Sequence, residues 1–105
     1  MEWTITVHTT DGDTEYSIPF ECNQKVYYVH KKKWWKPRSK WVVSVCRVVG
    51  VWATNTYGVT LHDEEHIFDN HLDCSEFKYL FTNKEDAIEF CIKKNAHAKV
   101  KVYGE

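Results

Sequence analysis

"KWVVSVCRVVGVWATNT", residues 40–56, decides the fold. From Trp41 to Thr54 it is dominated by β-branched and aromatic residues, which suit a pleated strand. The run is long for one strand, and Gly50 offers a place to bend or bulge. A bent strand of this kind tends to curl a small sheet, so a partly barrel-like form is expected.

Upstream, "KVYYVHK" (residues 25–31) is a second β-rich run. Between the two lies "KKKWWKPRSK", read as a hairpin loop because Pro37 cannot donate to a central ladder. Further upstream, "EWTITVHTTDGDTEYSIPF" (residues 2–20) places Trp3, Ile5 and Val7 on one face. It then repeats the alternation with Tyr16, Ile18 and Phe20 after a "DGD" turn. A period of two fits a β-hairpin with one buried face.

Downstream, "YGVTLHD" reads as a strand entered through a turn at Tyr57 and Gly58, and the acidic stretch after it as a loop with one helical turn. "KYLF" reads as a short strand. "TNKEDAIEFCIKKN" (residues 82–95) predicts a helix: Thr82 and Glu85 have capping-box spacing, and acids precede lysines as the helix dipole favours. Ala87, Ile88, Cys91 and Ile92 line its apolar face. "AHAKVKVY" returns as a strand with Ala98, Val100 and Val102 inward. The expected fold is a single α+β domain over residues 1–105: a twisted antiparallel sheet with one helix packed on it.

At 105 residues, with 43% hydrophobic and 15% aromatic residues, the composition is that of one globular domain. The net charge of −1 hides an uneven distribution, with a basic run from Lys31 to Lys40 and an acidic one from Asp63 to Glu76. No segment has the length of a membrane span, so a cytoplasmic protein without a membrane partner is expected. Cys22, Cys46, Cys74 and Cys91 are then read as reduced thiols, Cys46 and Cys91 as core residues.

"HDEEHIFDNHLDC" gathers His62, His66, His71 and Cys74, which are zinc-type ligands. Structural zinc sites bring two close pairs across a longer loop, and this spacing has no such gap, so no metal or other cofactor is expected. Glycine is too scarce for a phosphate cradle. His8, His30 and His97 fall in strands, and nothing resembles a nucleophile elbow or a C-x-x-C pair, so no enzyme is expected.

The segment from Lys31 to Trp41 holds six of the fourteen basic residues and three of the five tryptophans. Three readings compete. The tryptophans close the core while lysines keep the hairpin soluble. Alternatively, lysines meet phosphates and a ring stacks on an unpaired base. In the third reading the rings anchor in a protein partner and the charges steer it. The candidate binding residues are Lys32, Lys33, Trp34, Trp35, Lys36, Arg38 and Lys40. A secondary acidic surface of Asp63, Glu64, Glu65, Asp69 and Asp73 could imitate a line of phosphates.

"YGVTLHD", followed by "YLFTNKEDAIEFC", resembles small uncharacterised proteins of phages and mobile elements of Firmicutes, with a turn glycine in a strand and an aromatic-Thr-x-Glu start to a short helix. The insertion "EEHIFDNHLDCSEF" and the terminal strand depart from that pattern, and no functional residue carries over. The resemblance implies a mobile-element origin rather than an activity; small proteins of that origin frequently bind and block a host machine, so the expected function is non-enzymatic binding and inhibition of a host nucleic-acid-handling or defence protein. Single-stranded nucleic-acid binding and a zinc-stabilised module stand as the alternatives.

Overall fold

The computed structural model describes residues 3–32, 36, 39–63, 68–96 and 99–104. The β-structure consists of one hairpin, β1 (Trp3–Thr9) and β2 (Gly12–Ile18); a four-stranded meander, β3 (Lys25–Lys31), β4 (Trp41–Ala53), β5 (Tyr57–Asp63) and β6 (Phe68–Asp73); and two short strands, β7 (Leu80–Phe81) and β8 (Val102–Tyr103). A 3-10 helix (Cys74–Tyr79) precedes β7, and α1 (Lys84–Asn95) follows it. β1 and β2 pair only with each other. The remaining strands form one sheet in the order β6-β5-β4-β3-β7, with β8 parallel to β4 and the other pairings antiparallel.

β4 is the spine. Residues Val42 to Cys46 are all buried, because both faces of the strand are covered there and a neighbour lies on each edge. Its register shifts between Val48 and Gly50, so the strand is irregular where the sequence offered a glycine. The sheet nevertheless stays open, with β6 and β7 at opposite ends of the strand order, and the expected barrel-like closure does not occur.

Strand alternation sorts the side chains into two cores. On one face Val26, Cys46, Val48, Val59, Leu61 and Leu72 pack against Ile18 and Phe20, which follow from the outer hairpin. The 3-10 helix closes this side: Phe77 meets Phe20 edge-on at 5.5 Å, and Tyr57 stacks on Tyr16 at 4.4 Å. On the other face Val29 and Val43 pack against Ala87 and Cys91 of α1, with Phe90, Val100 and Val102 alongside.

Four local expectations are corrected. The acidic stretch is a hairpin, since β6 pairs with β5 over its whole length. Only residues 64–67 at its tip, with His66 among them, lie outside the described residues. β5 begins at Tyr57 itself, and the turn lies at residues 54–56. Asn83 rather than Thr82 caps α1, its side chain accepting from the N–H groups of Glu85 and Asp86. Ala87 and Cys91 are the buried helix positions, whereas Ile88 and Ile92 are only half-buried. Ala98 lies outside the described residues. Gly58 has a steric reason to be glycine: a Cβ there would run into the Leu72 carbonyl and the Trp52 ring.

Candidate functional site

The β3–β4 hairpin carries the basic segment at its tip, as its sequence predicts. The ladder closes with the Lys32 N–H donating to the Lys40 carbonyl at 2.9 Å, and the Ser39 N–H donates to the Lys36 carbonyl at 3.0 Å. Lys32, Lys36 and Lys40 are exposed at this end. Lys33, Trp34, Trp35, Pro37 and Arg38 lie outside the described residues.

The structure adds partners that lie far away in sequence. Trp41, half-buried at the start of β4, stacks on Tyr79 at 5.7 Å, and Tyr79 meets Phe90 edge-on at 5.8 Å. The Lys94 ammonium stands 5.3 Å from the Trp41 ring, 5.5 Å from Phe90 and 5.9 Å from Tyr79. Lys31 stands 5.8 Å from Trp41, and Lys78 stands 5.3 Å from Tyr79. Each ammonium lies within cation–π reach of a ring, which stabilises both the cluster and its charge. Phe90 and Lys94 share a helix face through their i, i+4 spacing, and Lys31 faces Trp41 across the ladder. Neither Lys78 nor Lys94 nor Tyr79 stands out in the sequence as part of the site, because the convergence needs the tertiary fold.

Asn95 locks this end together. Its Oδ1 accepts from the Trp41 N–H at 2.7 Å, and its Nδ2 donates to the Trp41 carbonyl at 2.9 Å. The amide thus completes the edge of β4 just before β8 begins, where the Val43 N–H donates to the Lys101 carbonyl.

A polar row crosses the opposite face. His30 Nδ1 lies 3.0 Å from the Lys31 carbonyl, which only accepts, so Nδ1 carries the proton. In the neutral ring, Nε2 then accepts from the Ser44 hydroxyl at 2.7 Å. Tyr28 stacks on His30 at 4.8 Å. This hydrogen bond has the sense of a nucleophile–base pair, but Ser44 is only 1% exposed, and a hydroxyl so enclosed meets no substrate. Burial, with Asp63 beside it, pushes the Cys46 thiol up to about 12. Burial, then Glu76, Cys46 and Tyr79, likewise raises Tyr28 to about 12.

The acidic residues do not share one described surface. Asp63 is buried at 3% exposure, opposite Cys46 in the ladder. Asp73 caps the 3-10 helix, and the Ser75 N–H donating to its Oδ1 at 2.8 Å holds the carboxyl below its usual range. Asp69 stands at the register position opposite His62, and Asp73 at the far end of β6, opposite Gly58. Glu64 and Glu65 lie outside the described residues. The length of the hairpin is what separates Asp63 from Asp73, since each strand residue adds about 3.3 Å.

The same hairpin spreads the zinc-type ligands. His62 stands opposite Asp69, His71 bonds the Thr60 hydroxyl at 3.0 Å, and Cys74 lies beyond Asp73 near Thr56. Five residues of nearly extended chain, about 16 Å, separate the level of His62 from Cys74. Among the described residues no group of three or more histidines, cysteines and acids could hold a metal ion. All four cysteines are free thiols, Cys46 and Cys91 buried and Cys22 exposed. No described helix is long and apolar enough to cross a membrane.

No protein-family model, curated protein or solved structure matches the chain.

Proposed function

We propose that the chain is a non-enzymatic binding protein that docks through the Lys/Trp end of the β3–β4 hairpin onto a negatively charged protein. The observation that carries this reading is the convergence of Lys31, Lys78 and Lys94 on the half-buried rings of Trp41 and Tyr79. The exposed Lys32, Lys36 and Lys40 stand at the same end. Aromatic anchors rimmed by cations suit an interface in which rings supply affinity and charges supply steering. The resemblance to phage and mobile-element proteins points to a host nucleic-acid-handling or defence protein as the partner, which this chain inhibits.

A second reading has support from the Trp41–Tyr79 stack itself. Rings flanked by ammonium groups are also a platform for unpaired bases. Affinity capture from a host lysate, with and without nuclease, separates the two. A protein retained after nuclease treatment, and released when Lys32, Lys36 and Lys40 are made alanine, supports the first. Salt-dependent binding of a single-stranded oligonucleotide, lost in the same variant, replaces it with the second.

A further inference from the structure

β4 is paired unevenly. On its β3 side the ladder ends at Val48, whose carbonyl accepts from the Asn23 N–H at 2.7 Å and whose N–H donates to the Gln24 carbonyl at 2.9 Å. From Val49 to Ala53 the strand has β5 on one edge, and no strand among the described residues on the other. The well-exposed large hydrophobic side chains among the described residues are Val49, at 47%, and Val51, at 37%. Both stand on this open edge.

Open strand edges are usually blunted with charge, because free N–H and C=O groups template pairing. Two outer strands follow that rule, β2 with Asp13 and Glu15 and β6 with Asp69 and Asp73, while β7 at the other end of the sheet is only two residues long. The β4 edge does not, since residues 48–61 contain no charged side chain.

We propose that Val49–Ala53 joins two copies of this chain edge to edge, antiparallel, about a twofold axis at Val51. The stretch is self-complementary in that register. Val51 faces its own copy, Val49 faces Ala53, and the smallest residue, Gly50, faces Trp52. The Trp52 indole therefore keeps its place, with its Nε1–H donating to the Val59 carbonyl at 3.2 Å. No like charges are opposed, and β-branched cross-strand pairs are favourable. A neutral, apolar edge offers nothing to select a charged peptide, so a second copy is the occupant it fits. This surface is independent of the Lys/Trp end.

The test is the molar mass of the full chain by light scattering over a wide concentration range. The wild type should reach the mass of two chains. Val51→Lys, which opposes two ammonium groups across the twofold axis, should raise the dimer Kd about tenfold or more with an unchanged far-ultraviolet dichroism spectrum. A wild type that stays at one chain mass, or a folded Val51→Lys variant that dimerises as tightly as wild type, overturns the proposal. Should Val51→Lys fail to fold, Val51→Cys in a Cys22→Ser background decides. Directly opposed residues of an antiparallel pair bring their Cα atoms to about 4.5–5.5 Å, within disulfide reach, so mild oxidation should link two chains through the substituted position. Absence of that link overturns the proposal.

Discussion

The two faces of the six-stranded sheet are covered by different kinds of structure. One carries a helix whose contacts come from a single twelve-residue element, α1, with a short chain segment beside it. The other is closed by pieces from three places: the end of the outer hairpin at Ile18 and Phe20, the 3-10 helix through Phe77, and Tyr57 at the foot of β5. A face closed by one periodic element concentrates its dependence on a few positions. A face closed by scattered pieces spreads that dependence and leaves polar groups such as Ser44 and Asp63 buried at its margin.

The sharpest way to break the helical face is Ala87→Asp. Ala87 is wholly buried beneath α1, and a carboxylate there would lose its water without gaining a cation. A buried charge without a partner costs enough to exceed the stability of a small domain, about 5–15 kcal/mol, so the variant should be unfolded at 25 °C by circular dichroism. Ile88→Asp, at a half-buried position, should fold with a lowered melting temperature. The reverse order of severity would mean that the helix is rotated on the sheet.

The scattered face should yield smaller losses at each point. Ile18→Ala, at a fully buried position, should cost about 2–5 kcal/mol through lost transfer energy and the cavity left behind. Val7→Ala, on the partly exposed β1, should cost about 1 kcal/mol or less. Urea unfolding of both variants measures the gradient of burial along one hairpin. Equal losses would show that the apolar face of the hairpin is buried along its whole length, contrary to the half-buried state of Ile5 and Val7.

These two faces are unequally legible in the sequence. The helix is visible because its signals are local: apolar spacing, acids before lysines, and a capping-box spacing from Thr82 that falls one residue short of Asn83, which does the capping. The central strand and the site of its irregularity at Gly50 are visible for the same reason. The β5–β6 hairpin is hidden by its polarity. Phe68, Asn70 and Leu72 alternate in sequence with Asp69, His71 and Asp73, but a strand with two apolar residues in six reads as loop until Val59 and Leu61 are placed beside it. The candidate site is half legible. The Lys/Trp tip is contiguous, whereas Tyr79 and Lys94 reach Trp41 from 38 or more residues away, with Phe90 against Tyr79, and no period in the sequence records that meeting.

Asn95 is the point where the helix, on one face, holds the edge of the strand common to both. Asn95→Ala removes both side-chain partners of the Trp41 backbone at once, at a half-buried site. A loss of about 1–3 kcal/mol is expected, together with faster amide exchange at Trp41. Asn95→Asp keeps an acceptor for the Trp41 N–H but not a donor for its carbonyl, and should fall between wild type and alanine. Identical stability in all three proteins would detach the helix end from β4.

The last effect is nil at neutral pH, confined to alkaline solution, and distinguishes the polar side of the scattered face. Cys46 rises from the thiol's ordinary 9.0 to about 12, and Tyr28 from 10.0 to about 12, in both cases chiefly through burial. Both groups are neutral when protonated, so the unfolded chain releases these protons at lower pH than the folded one. The stability tied to them is therefore whole below about pH 9 and is lost as pH rises toward 12. Tyr28→Phe keeps the ring and its stacking on His30 but removes one of the two ionisations. Stability measured against pH should then fall less steeply above about pH 10 than in the wild type, with the curves parallel at neutral pH. Cys46→Ala should flatten the curve from about pH 9 upward. If neither substitution alters the alkaline slope, the two groups ionise as freely folded as unfolded, and the polar margin of this face is open to water.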